Sequence, residues 1–218
     1  MRAQQRQPHY TPPLEDSGRL EVLLELNLSL QGLTSIGGLA ALTSLRSVNA
    51  SFNALEGGVG WVAPCARTLR SLNICHNRIA SLEGVESLAR LESLKCSDNA
   101  LTSLAPLATC AALRALWCFR NPLSRAPPSV VYSALAPLPL LTTLIASPFD
   151  KWGQGQSLRS GSSGRSAAWR GEIIALLPRL IRLDAGAVEE GERSAGAALA
   201  TALAARGEAE AGRSLGSV

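Results

Sequence analysis

The side chains with the greatest capacity for catalysis or metal binding are few in this chain of 218 residues. It has two histidines, His9 and His76, too few to supply the nucleophile, base and acid grouping of a typical hydrolase. Cys75 and His76 are adjacent, but a zinc site needs further ligands and no third one lies nearby in the sequence. We therefore predict no catalytic residues, no metal site and no cofactor, and we expect that the protein is not an enzyme.

A short glycine motif, Gly153-Gln154-Gly155, is similar to part of a phosphate-binding loop. No helix start and no Gly-Lys-Ser/Thr follows it, and its surroundings are rich in Gly, Ser and Gln. Such a composition is typical of a flexible loop. We interpret this stretch as an insertion and not as a nucleotide site.

The composition indicates a packed protein, since 46% of the residues are hydrophobic and 17% are charged. The net charge is +4, but the basic residues are spread along the chain without a run of five or more, so we do not expect direct nucleic-acid binding. The N-terminal residues lack the apolar core of a signal peptide, and no stretch of 18 apolar residues occurs. We expect a cytoplasmic protein that does not contact membranes.

The cysteines agree with a reducing compartment. Their number is odd and none of them forms a C-x-x-C pair, which is a poor basis for a disulfide framework; they are Cys65, Cys75, Cys96, Cys110 and Cys118. Cys96 and Cys118 occupy positions where the other repeats described below have apolar residues. We therefore predict that these two thiols are buried and act as small apolar side chains.

The elements that position any binding residue come from an internal repeat. Its template is L-x-x-L-x-L-x-x-N-x-L, and Leu23, Leu26 and Leu28 begin the first copy. The asparagine position recurs at steps of 22, 24, 22 and 22 residues, and its members are Gln31, Asn53, Asn77, Asn99 and Asn121. The two extra residues fall in a glycine-rich stretch, 57–61, which favours an enlarged turn.

This spacing predicts how each repeat folds. The first leucines belong to a short strand whose alternating side chains point inward, and the later ones line a 3₁₀ or helical return. No repeat can bury its apolar face alone, so stacked repeats form a parallel sheet on the concave side of a curved solenoid. The asparagine amide satisfies backbone groups in the turn. We predict an α/β fold, a right-handed solenoid with a C-terminal helical cap.

The end cap has its own sequence pattern, an aromatic residue and Arg followed by V/I-I and L-P-x-L-x-x-L-D. The chain matches each slot, with Trp in place of the usual Tyr, at Trp169, Arg170, Ile173, Ile174, Leu177, Pro178, Leu180, Leu183 and Asp184. From about residue 20 to 193 the chain thus resembles the small leucine-rich repeat family of the phosphatase-1 regulatory subunit, the axonemal dynein light chain and the spliceosomal A-prime protein. By this resemblance Trp169 and the helix from Arg170 to Leu177 cover the last repeat.

The chain divides into five predicted segments. A degenerate sixth repeat, which lacks the turn asparagine, ends the array near Ala146. The segments are a polar N-terminal tail at 1–19, five clear repeats and the degenerate one at 20–146, a Gly/Ser-rich inserted loop at 147–168, the cap at 169–193, and an Ala-rich helix and tail at 194–218.

Two columns of repeat positions beside the inward leucines are predicted to face the concave side. One runs Asn27, Asn49, Asn73, Lys95, Trp117; the other runs Leu30, Phe52, His76, Asp98, Arg120. Both become charged and aromatic toward the C-terminus. Because aromatic residues and Arg are the usual anchors of interfaces, the candidate partner-binding residues are Phe52, His76, Lys95, Asp98, Trp117, Phe119 and Arg120.

These patterns favour a non-catalytic scaffold or adaptor that binds a protein partner on its concave face. The resemblance implies a cytoskeletal or ciliary assembly, and it leaves open two alternatives, a ribonucleoprotein-associated subunit of the splicing type and a phosphatase regulatory subunit. The cytoplasm is the expected location, with the nucleus as the alternative. We expect the chain to be a monomer.

Overall fold

A computed structural model describes residues 9–10, 23–37, 39–125, 128–146 and 163–215. Its strands are short: β1 (His9–Tyr10), β2 (Glu25–Asn27), β3 (Ser35–Ile36), β4 (Ser47–Asn49), β5 (Glu56–Gly57), β6 (Ser71–Asn73), β7 (Arg78–Ile79), β8 (Ser93–Lys95), β9 (Ala115–Trp117), β10 (Thr143–Ile145), β11 (Arg182–Leu183) and β12 (Gly186–Ala187). Its α-helices are α1 (Pro128–Val131), α2 (Ser163–Leu176) and α3 (Glu190–Leu215).

One sheet runs through the whole repeat array, with the strand order β2-β4-β6-β8-β9-β10-β11-β12. Its pairs are parallel except the last, β11 with β12, which is antiparallel. The register places the same repeat position side by side in the seven parallel strands, as Leu26, Val48, Leu72, Leu94, Leu116, Leu144 and Leu183. The predicted solenoid with a parallel sheet and a helical C-terminal part is therefore confirmed.

The core lies between this sheet and a row of 3₁₀ returns. The returns are Leu39–Ala41, Gly60–Cys65, Val85–Ser87, Ala105–Thr109, Pro122–Arg125 and Ser133–Leu135. Their inward side chains, such as Leu39, Val85 and Leu107, are buried against the strand leucines. Cys96 and Cys118 are buried in inward positions, as predicted, and burial raises the pKa of both thiols. They therefore stay protonated and act as apolar groups.

The turn asparagines form a ladder that links neighbouring repeats. The Asn99 side-chain oxygen accepts a hydrogen bond from the Ile79 amide at 2.9 Å, and its amino group donates to carbonyls in its own repeat and in the repeat before. Asn53, Asn77 and Asn121 do the same. Each amide thus satisfies donors and acceptors that the turn leaves without a strand partner, as the sequence predicted.

The two extra residues of the second repeat are accommodated by glycines. Gly57 has a positive φ of 74°, and the following return, Gly60–Cys65, is six residues long. Gly84, in the next repeat, has a φ of 107°, and a Cβ on it would lie 2.6 Å from the Gly60 backbone. Only a glycine tolerates both that backbone conformation and that contact.

The C-terminal end of the array is covered by α2. This helix begins at Ser163, six residues before the predicted cap at Trp169. The Trp169 ring is buried, as predicted, and meets Tyr132 edge to face with ring centroids 6.2 Å apart. Residues 147–162 of the predicted inserted loop, including the glycine motif at 153–155, lie outside the described residues.

The Ala-rich segment forms α3, which starts at Glu190, before the predicted 194, and packs along α2. The helices approach closely at Gly196, where a Cβ would lie 2.9 Å from Ile174. At the other end of the chain, His9–Tyr10 pairs with Ser35–Ile36, while the rest of the predicted tail is outside the described residues. Within the described part of the chain, no helix is long and apolar enough to cross a membrane.

Candidate partner-binding site

The strand position between the inward residues forms one straight column across the concave face. Its first members, Asn27, Asn49 and Asn73, are engaged locally, because each side-chain oxygen accepts a hydrogen bond from the backbone amide two residues later. The column continues on the neighbouring strands as Lys95, Trp117 and Ile145. The column therefore changes from asparagines that stabilise their own turns to side chains that present charge and apolar surface.

A second column lies at the turn after each strand, and we call it the turn ridge. Its five residues all have left-handed backbones, with φ values of 59°, 56°, 54°, 55° and 52° at Leu30, Phe52, His76, Asp98 and Arg120. This conformation costs a side-chain-bearing residue about 1–2 kcal/mol. The turn geometry explains the backbone, but it does not require leucine, phenylalanine or arginine, so the identities of these side chains call for another explanation.

The turn ridge is continuous from Phe52 to Arg120. The rings of Phe52 and His76 stack with centroids 4.1 Å apart, and His76 Nε2 lies 3.6 Å from the Asp98 carboxylate. Arg120 Nη1 donates to the other oxygen of Asp98 at 3.3 Å, and the Arg120 guanidinium lies 5.9 Å from the Phe119 ring. Four successive repeats thus present one connected row of aromatic and charged groups.

The two columns meet the cap in a cleft of about 790 Å³, which we call the C-terminal cleft. It is lined by His76, Asp98, Trp117, Phe119, Arg120, Ile145, Trp169, Arg170, Arg182, Leu183, Asp184, Ala185 and Gly186. Five of the seven candidates from the sequence are in this lining. The other two border it, since Phe52 stacks on His76 and Lys95 Nζ lies 5.0 Å from the Trp117 ring. The structure brings all seven into one surface.

The far wall of the cleft comes from the sixth strand and the cap, whose residues were not predicted from the sequence as site residues. Ile145 continues the column of Trp117, and this was visible once the sixth strand was aligned on the repeat. Arg182 lies opposite Thr143 through the pairing of β11 with β10, a register that the sequence does not show. Asp184 has a φ of 53° and accepts a hydrogen bond from the Ala146 amide at 2.8 Å.

Arg170 holds this wall in place. Its guanidinium donates to the carbonyl oxygens of Leu183 and Ala187, both at 2.8 Å, and forms a two-point ion pair with Glu192 at the start of α3. The hydrogen bonds to Glu192 raise the pKa of Arg170, and the same contact lowers the pKa of Glu192. One side chain therefore links the cap helix, the last strand pair and α3.

The described residues offer little for catalysis or metal binding. Burial raises the pKa of each cysteine thiol, to about 11 for Cys110, so none of them is activated as a nucleophile. Among the described residues, no three His, Cys, Asp or Glu side chains are grouped as a metal ion requires. The C-terminal cleft is lined by aromatic rings and arginines, the residue types that are enriched in protein interfaces.

Comparisons with known proteins identify the repeat type. A family model described as leucine-rich repeats (2 copies) matches residues 67–109. An internalin (inlF) from Listeria monocytogenes is similar in structure, with a TM-score of 0.50, 18% identity, and coverage of 78% of this chain and 50% of that one. A leucine-rich repeat protein of Leptospira interrogans has a TM-score of 0.53 and 18% identity, over 83% of this chain and 47% of that one.

These matches establish leucine-rich repeats and the solenoid fold. The chain spans about half the length of the two solved structures, and their low identity supports a shared fold alone. No curated protein matches the sequence. The narrower resemblance to the phosphatase, dynein and spliceosomal family stays a prediction. Leucine-rich repeat arrays generally act as protein-interaction scaffolds, and the fold is typically non-catalytic.

Proposed function

We propose that this protein is a non-catalytic adaptor that binds a protein partner on the C-terminal half of its concave face. The observation that carries the proposal is the composition of the C-terminal cleft. Its volume is about 790 Å³, and its lining combines the charged turn-ridge residues Asp98 and Arg120 with the side chains of Trp117, Phe119 and Ile145. Trp, Tyr and Arg dominate interface energetics when they sit in such a concave, partly buried setting.

The degree of burial supports this proposal. Trp117 and Phe119 are half-buried, so their ring surfaces are partly exposed yet held in position by neighbouring strands. A rigid, pre-organised surface loses little conformational entropy when a partner binds. The rigidity comes from the asparagine ladder and from Arg170, which fix the two sides of the cleft before any partner arrives.

The test is affinity purification from cells with the full chain and with a Trp117→Ala/Arg120→Ala double variant. We expect at least one partner to be recovered with the unaltered chain and to be lost, or reduced tenfold or more, with the double variant. Truncation of an interface anchor typically costs about 2 kcal/mol or more, which corresponds to a roughly thirtyfold loss of affinity.

A matched control removes the same residue types elsewhere. Trp61 lies in a return and Arg90 is exposed in the turn before β8, and neither lines the cleft. The Trp61→Ala/Arg90→Ala variant should recover the partner at the level of the unaltered chain, once circular dichroism shows that both variants are folded. Equal recovery with all three proteins, or no specific partner in repeated experiments, would overturn the proposal.

We further propose, from the resemblance noted in the sequence, that the partner belongs to a cytoskeletal or ciliary assembly. Imaging a tagged copy in ciliated cells tests this, since a ciliary or cytoskeletal signal supports it. A uniformly nuclear signal with co-purified splicing proteins favours the ribonucleoprotein alternative, and co-purification of a phosphatase catalytic subunit favours the regulatory one.

A further inference from the structure

Three exposed cations lie on or next to the strands that form the C-terminal cleft, and one of them, Arg182, lines it. Lys95 and Arg182 are exposed on opposite sides of the Trp117–Ile145 pair, and Arg114 is exposed just before β9. Among the described residues, none of the three forms an ion pair with a carboxylate. By contrast, Arg70 pairs with Glu92, and Arg120 in the cleft lining pairs with Asp98.

Each acidic group of the cleft already contacts other residues of the chain, although the buried Oδ2 atom of Asp98 accepts no hydrogen bond among the described residues. Asp98 lies between His76 and Arg120, and Asp184 accepts a hydrogen bond from the Ala146 amide. Glu192 pairs with Arg170. The cations near the Trp117 and Ile145 strip that form no ion pair among the described residues are therefore Lys95, Arg114 and Arg182.

From this arrangement we propose that the segment bound in the C-terminal cleft is an acidic peptide of a partner protein, with a bulky apolar side chain between its carboxylates. This inference rests on the proposed function and specifies its ligand. The apolar side chain packs on Trp117, Phe119 and Ile145, while the carboxylates approach Lys95, Arg114 and Arg182. Charge complementarity of this kind selects the partner and speeds association.

The same surface is less suited to a nucleic acid. Bases bind single-strand sites by stacking on open aromatic faces. Here one face of the Phe52 ring is covered by His76, and the Trp117 and Phe119 rings are only partly exposed. A phosphate backbone carries a negative charge at every nucleotide and would meet the Asp98 and Asp184 carboxylates of the lining, whereas a peptide carries carboxylates only at some of its positions. An acidic peptide is therefore the favoured occupant, and RNA is an outcome for the experiment to detect.

The experiment selects binders from a displayed library of random twelve-residue peptides on the full chain. Its readout is the frequency of Asp and Glu among the selected peptides relative to the input. We expect enrichment of acidic peptides that also carry Leu, Ile, Phe or Trp. The most enriched peptide, labelled with fluorescein, should bind with an affinity that falls as salt rises, because exposed ion pairs are screened.

Two charge-reversed variants distinguish the effect of the cations near the cleft from the effect of the net charge of the protein. Lys95→Glu/Arg182→Glu should lower the affinity for the labelled peptide at least tenfold. Each exposed ion pair contributes a factor of up to about five to the affinity, and charge reversal adds repulsion. Arg67→Glu/Arg90→Glu changes the net charge by the same amount at exposed positions outside the cleft lining, and it should bind the peptide normally.

The possible results distinguish a failure of the acidic-peptide inference from a failure of the proposed function. The inference is overturned if the selected peptides are not enriched in Asp and Glu, or if both charge-reversed variants lower the peptide affinity equally. It is also overturned if a random-sequence 20-nucleotide RNA binds more tightly than the peptide and displaces it. Selected peptides that lack acidic residues but are lost on Trp117→Ala/Arg120→Ala would leave the proposed function standing without this ligand. Selected peptides that bind that double variant unchanged would remove the proposed function as well.

Discussion

Replacing Asn99 by alanine tests whether the asparagine ladder holds the repeats together. Its side-chain oxygen accepts from the Ile79 amide at 2.9 Å, and its amino group donates to the carbonyls of Ile74, Cys96 and Ser97 at 2.9, 3.1 and 3.2 Å. The amino group has two hydrogens for these three acceptors, so the variant loses the equivalent of three hydrogen bonds. At about 1 kcal/mol each, the free energy of unfolding should fall by about 3 kcal/mol.

The chain contains its own control at the same repeat position. Gln31 replaces the asparagine in the first repeat, where it is exposed and its side chain donates to the Ser29 carbonyl at 3.2 Å. Because that bond competes with water, Gln31→Ala should change the stability by less than about 0.5 kcal/mol.

Urea denaturation followed by circular dichroism measures both variants. With a slope of about 2 kcal/mol per molar urea, Asn99→Ala should lower the midpoint by about 1.5 M, while Gln31→Ala leaves it nearly unchanged. A loss below about 1 kcal/mol for Asn99→Ala, or equal losses for the two variants, would refute the reasoning that the half-buried turn amides stabilise the stack.

Three further predictions concern the return, the thiols and the cap. Gly84→Ala should destabilise the protein by more than about 2 kcal/mol in urea denaturation, because it strains a positive φ and contacts the Gly60 backbone, whereas Gly60→Ala, with open space around its new Cβ, should cost far less. A thiol reagent should label Cys75 first, since it is half-buried and the other cysteines are buried; mass spectrometry that finds another site labelled first would contradict this. Arg170→Ala should speed amide exchange at the start of α3. Because the pKa of Glu192 is lowered in the fold, the stabilisation by this pair is present above the ordinary Glu pKa of about 4.3 and is lost as the pH falls through the folded value, so the stability difference between the unaltered chain and Arg170→Ala should shrink from pH 7 to pH 3.

The repeat and its core can be predicted from the sequence because the same pattern recurs in five repeats. The leucine spacing and the asparagine position identify the strands, the returns and the turn amides, and a single irregular step locates the enlarged turn near Gly57. The start of α2 cannot be predicted in this way, because it lies outside the repeat pattern. The residues before Trp169 are rich in Gly and Ser, which have modest helix propensity, but a helix fixed by a buried aromatic residue extends cooperatively into them.

The candidate site likewise has one part that the repeat pattern predicts and one part that it does not. Residues within the repeats, such as Trp117 and Arg120, can be assigned to one face because their column is defined by the template. The opposite wall comes from the cap, where Arg182 reaches the cleft through a strand pairing that no repeat template contains. Sequence patterns therefore predict half of the cleft, and long-range register supplies the other half.

The turn ridge also has a consequence for how such a surface evolves. One chain accepts Leu30, Phe52, His76, Asp98 and Arg120 at the same backbone position, with φ values that agree within a few degrees. These five repeats are in effect a natural mutational series, which shows that the position tolerates aliphatic, aromatic, acidic and basic side chains without a change in the turn. Selection can thus exchange the turn-ridge side chain of one repeat while the backbone beneath it stays constant, so the chemistry of this surface can change faster than the fold.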